Sequence, residues 1–282
     1  MAEMHSSERT QPRSCVVPGE VTDNIIDYLH DDTNALRAGA LVSRAWLPSC
    51  QHHLFSTTFC QLTQPGRGLT DFLAWLAIAR YAAAQISTLI IDGDLNVETS
   101  EARPKVYIQD VVDALEPLTS LVDLTIGSIT LFPRHHTNQV SHPPTHRTLG
   151  TFTIGLAATF DNTSGPISQI LSLFSEVEHL VVGDLECMWT PDIATAPSLG
   201  DVSPAHHTAQ VTRSLSIVSA TPTEKWTGYQ GVVDLCRHSE PKWQLKELLL
   251  AFQRVAFYSE TLGRLLPDFG TSLTRLSVQL PM

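Results

Sequence analysis

The sequence predicts a chain between the α+β and α/β classes: three short helices, then a solenoid of strand-then-helix units whose strands form one curved parallel sheet. Three observations predict it. Residues 17 to 55 carry apolar side chains at helical spacing. Behind them an apolar-x-x-apolar-x-apolar segment recurs seven times. Several intervals between those segments have an amphipathic helical pattern, and alternating strands and helices favour a parallel sheet.

The chain has 282 residues, 43% of them hydrophobic and 17% charged, the balance of a globular protein with a sizeable core. The formal net charge of −11 and the lack of any Lys/Arg run argue against a nucleic-acid binder, which must neutralise phosphates. Apolar stretches such as Phe72 to Ala84 fall short of the roughly 20 residues that span a bilayer, so no membrane partner is expected. Residues 1–14 are read as a disordered tail without the apolar core of a secretory signal, which points to a cytoplasmic and/or nuclear address. Cys15, Cys50, Cys60, Cys187 and Cys236 include no Cys-x-x-Cys pair and are read as reduced, mostly buried thiols.

Pro18, near the first helical position, costs no hydrogen bond, and Glu20 lies beside the positive helix end. Val21, Ile25 and Leu29 then share one face, with Ile26 flanking it, in a helix too short to stand alone. Thr33 is the expected N-cap of a second helix with Leu36, Ala40 and Leu41. A third is expected to start around Ser43 to Trp46, with Pro48 marking a turn or a new first turn, and the segment closes on Leu54 and Phe55. Three such helices in about forty residues hold little core, so apolar surface should remain for docking.

Val17-Pro18-x-Glu20-Val21, then Ile25-Ile26-x-x-Leu29, then Leu41-Val42-Ser43-Arg44-x-Trp46 resembles the F-box signature in order and spacing, with Val17 where the family usually has leucine. The resemblance covers about residues 15–55, and residues 15–58 are taken as the F-box domain. It implies a three-helix fold that binds the Skp adaptor and, through it, a cullin scaffold. The residues it implicates in adaptor binding are Val17, Pro18, Glu20, Ile25, Ile26, Leu29, Leu41, Val42 and Trp46.

Residues 59–282 form the second region. Its seven segments centre on Leu89, Leu124, Phe152, Leu180, Leu215, Leu248 and Leu276, and only Thr212 breaks the first apolar position. The central residues are 35, 28, 28, 35, 33 and 28 apart. A period of 28 lies within the range of about 20 to 29 residues of leucine-rich repeats, and the longer intervals require insertions. Helical patterns run over Val106 to Leu118, Ile167 to Phe174, Gly231 to Cys236 and Ser259 to Leu266, whereas Phe132 to Arg147 and Thr190 to Thr208 read as proline-rich loops. The region resembles an irregular leucine-rich-repeat array, and the whole chain resembles F-box proteins of the fungal type. A doubly wound α/β domain is the structural alternative. No polar cap follows the last segment, so either the final repeat is short or the C-terminus is incomplete with an association-prone edge.

Chemistry-bearing patterns are sparse. His52-His53, His135-His136 and His206-His207 are pairs, and His142 and His146 are separated by two prolines that forbid a shared helical face. No metal site and no cofactor are expected. Nucleophile-elbow, phosphate-loop and dinucleotide motifs are missing, and Gly66-Arg67-Gly68 is too short to count. Asp31 with Asp32 and Asp92 with Asp94 are read as turn residues. Asn162-Thr163-Ser164 matches a glycosylation acceptor but lacks a secretory signal to expose it. Four lysines stand against fourteen arginines, none in the F-box segment, which would limit self-modification.

The function expected from the resemblance is therefore non-catalytic: a substrate-recognition subunit of a Skp–cullin–F-box ubiquitin ligase, with an unknown target bound by the repeats. The alternatives are a hydrolase or transferase on an α/β domain and an F-box protein acting outside the ligase.

Overall fold

The computed structural model describes residues 17–63, 68–93, 103–132, 147–155, 158–159, 165–183, 186–187, 209–218, 232–233, 235–236, 239, 242–252 and 255–279. The expected tail, Cys15, the paired histidines beyond His53, Asp94, the glycosylation motif and the last three residues lie outside them. The chain divides into two compact units, the first ending at Leu54 and the second beginning at Phe55.

In the first unit, α1 (Gly19–Tyr28), α2 (Thr33–Val42) and α3 (Leu47–Ser56) follow one another closely. Pro18 sits at the N-cap of α1, where its carbonyl accepts the Val21 and Thr22 amides at 3.1 and 3.2 Å. Asp32, not Thr33, caps α2: its Oδ1 accepts the Asn34 and Ala35 amides at 3.0 and 2.9 Å, two charge-assisted bonds at the positive helix end. Thr33 becomes the first helical residue. The third helix starts at Leu47, later than expected, because Ser43 is extended and forms a turn, its Oγ accepting the Ala45 amide and its carbonyl the Trp46 amide. Pro48 then falls in the first turn of α3, where no hydrogen bond is lost.

Ile26, Leu36 and Cys50 are fully buried, one from each helix, with Leu29, Ala40, Trp46 and Leu54 packed around them. Gly39 lets the helices approach: a Cβ there would stand 3.1 Å from Cys50 Sγ and 3.6 Å from the Trp46 ring. Two side-chain bonds tie α1 to α3, Ser49 Oγ donating to Asp23 Oδ1 at 2.5 Å and His53 Nε2 lying 2.8 Å from Asp27 Oδ1.

In the second unit β1 (Thr57–Gln61), β2 (Thr88–Asp92), β4 (Asp123–Gly127), β6 (Thr148–Gly155), β8 (Glu176–Gly183), β10 (Gln210–Val218), β11 (Glu247–Ala251) and β12 (Arg275–Gln279) form one parallel sheet. Strand order follows chain order without reversal, so the switch point of a doubly wound domain does not exist here. The seven segments of the sequence are seven of these strands, and β1 is an eighth that their pattern missed because Thr58 and Cys60 hold the interior positions. A second, short parallel sheet was also unforeseen: β3 (Lys105–Tyr107), β5 (Thr130–Phe132), β7 (Ala158–Thr159) and β9 (Glu186–Cys187). Its strands have two or three residues, below the length at which a pattern can be read.

Leu89, Leu124, Phe152, Leu180, Leu215 and Leu248 are neighbours across the sheet, each paired with the next, and Leu276 follows. Ile91, Ile126, Ile154, Val182, Ile217 and Leu250 form a second interior row beside them. The irregular Thr212 has a local cause. Val177 pairs with Val211 but His179 with Ser214, so β10 holds one extra residue in a bulge. Val211 fills the interior place and Thr212 turns away, its Oγ1 donating to Glu176 Oε1 at 2.7 Å.

Helices α4 (Leu69–Ile78), α5 (Arg80–Ala83), α6 (Ile108–Leu115), α7 (Gly165–Leu171) and α8 (Val255–Phe269) lie between the strands, and buried Val232, Val233, Leu235 and Cys236 are also helical. Arg147, at the end of an expected loop, closes α6 from 31 residues away in sequence. Its guanidinium donates to the carbonyls of Leu115, Glu116 and Leu118 at 3.2, 2.5 and 3.0 Å. Burial lowers its pKa, opposed by the Glu116 carboxylate. Cys60 is buried, and desolvation followed by the Asp71 charge pushes its thiol up to about 11.

Replacing Arg147 by Ala removes the side-chain donor from the Leu115, Glu116 and Leu118 carbonyls, the first and last of which keep the Leu118 and Leu121 amides, and should cost about 1–3 kcal/mol, with Lys restoring only part, measured by urea unfolding. Because the folded Cys60 thiol holds its proton more tightly than the unfolded one, its contribution is complete below pH 9.0 and is lost as pH rises toward about 11. Wild-type stability should therefore fall more steeply over that window than that of Cys60→Ala, and iodoacetamide should leave Cys60 unlabelled in the native protein at pH 8.

Candidate docking face

Helix α1 divides its apolar residues between two faces. Ile26 is 1% exposed and faces the bundle interior, whereas Val21 and Ile25 are 46% and 43% exposed. Tyr28, three residues beyond Ile25, is 88% exposed. Val21, Asn24, Ile25, Tyr28 and Leu29 line a shallow depression of about 320 Å³. Large side chains left in water at 21, 25 and 28 form one helical stripe.

Of the nine residues singled out in the sequence, Ile25 and Leu29 are brought together in this depression. Val17, Pro18 and Glu20 are exposed at the start of α1, and Leu41 and Val42 at the end of α2. Ile26 is buried in the interior of the bundle, and Trp46 is partly buried against it. Val21 and Tyr28 were not singled out as contacts. The sequence places Val21, Ile25 and Leu29 on one face, and the structure adds Tyr28 beside them; the spacing 21, 25, 28 is the signal in the sequence for it.

The outward face of the large sheet is the second surface. Its middle row runs Phe59, Ile90, Thr125, Thr153, Val181, Ser216, Leu249, Ser277 in strand order. Beside it Gly127, Gly155 and Gly183 pair in register, with Asp92 next to Gly127. A Cβ on Gly127 would lie 3.2 Å from Asp92 Oδ1, an atom that is buried without a hydrogen-bond partner among the described residues. His179 and Ser214 are hydrogen-bonded across this face at 2.7 Å.

His53 and His52 are in edge-on contact, and His53 also meets Asp27. Asp31 lies 3.1 Å from His30 Nε2. Among the described residues no three His, Cys, Asp or Glu side chains are grouped to hold a metal ion, and no helix is long and apolar enough to cross a membrane.

The division of α1 is directly testable. Ile26→Ala should destabilise the bundle by about 2–5 kcal/mol, whereas Ile25→Ala should stay within about 1 kcal/mol of wild type, read from hydrogen exchange of the α1 to α3 amides.

No family model and no curated protein matches this chain.

Proposed function

We propose that this protein is a non-catalytic substrate-recognition subunit of a Skp–cullin–F-box ubiquitin ligase, docked through its N-terminal helices. The observation that carries the reading is the stripe of Val21, Ile25 and Tyr28 exposed on a bundle with only three fully buried apolar residues. A bundle of that size gains by covering such a face with a partner. The fit of Val17-Pro18 to Trp46 to the F-box pattern names the Skp adaptor as that partner.

On this reading the second unit is a leucine-rich-repeat-like array, supported by its in-register Leu and Ile rows and by a strand order that follows the chain. It captures a target protein on its open face. The chemistry belongs to the partners: holding a target lysine near the charged conjugating enzyme raises the effective concentration of two reactants.

The test is co-purification with purified Skp adaptor, followed by addition of cullin. Val21→Asp with Ile25→Asp should weaken adaptor binding about a hundredfold, the effect of losing two anchor residues at an interface centre. The thermal unfolding of the second unit should not change. Equal affinity of wild type and the double variant sinks the docking assignment, and adaptor binding without cullin recruitment would place the protein outside the ligase.

A further inference from the structure

We draw no further inference here: the strongest candidate, the stripe of Gly127, Gly155 and Gly183 beside the Asp92 carboxylate on the outward face of the large sheet, carries nothing, because nothing in the structure shows what covers it.

Discussion

Leu124 sits between Leu89 and Phe152, and Phe152 in turn sits between Leu124 and Leu180, each an apolar residue at the same height. That repetition of register is the constraint on which the second unit depends. A parallel strand must return by a crossover long enough to regain the same end of the sheet, and every crossover here restores the register of the interior row. A slip of one residue would turn Leu89 and Ile91 outward together and bring Ile90 inward. Each fully buried Leu or Ile is worth about 1.5–3 kcal/mol, so two rows across six strands hold the arrangement against considerable local irregularity.

The tolerance is visible where the pattern is broken. At Thr212 the strand accepts an extra residue and puts Val211 into the interior opposite Val177, so the register on either side of the bulge is preserved. At the end of α6 the guanidinium of Arg147, just before β6, adds donors to the carbonyls that the local backbone bonds leave room on. Gly93 packs so closely on Ser128 that a Cβ would meet its carbonyl oxygen at 1.9 Å, and Ser128 itself takes a left-handed φ of 53°. These two turns carry the chain out of the large sheet after β2 and β4, with Pro104 against Gly93 and its carbonyl accepting the Thr130 amide.

The first unit works under the opposite condition. It has three helices of ten residues and one fully buried apolar residue from each, so its packing is concentrated on Ile26, Leu36 and Cys50. Gly39 and Trp46 make that close packing possible, and the Asp23–Ser49 and Asp27–His53 bonds hold α1 against α3 from the solvent side. With so little interior, the same helix that supplies the core must also leave Val21, Ile25 and Tyr28 in water. The exposed apolar stripe is the consequence of the bundle's size.

Much of this was legible in the sequence. The positions of seven strands and their common interior residue follow from apolar spacing alone, because alternation and period are local properties of the chain. The helical stripe of Val21 and Ile25 and the small size of the bundle were legible for the same reason. Only the tertiary structure decided which side of α1 is interior: Ile26 and Ile25 are adjacent and chemically identical, and the choice between them depends on where Leu36 and Cys50 lie. It also decided that Asp32 and not Thr33 caps α2, that Arg147 reaches back to α6, and that Leu276 and Val278 stay open to water while every earlier member of their rows from β2 onward is dry. Each of those outcomes depends on groups distant in sequence or on competition between neighbours, which periodicity does not record.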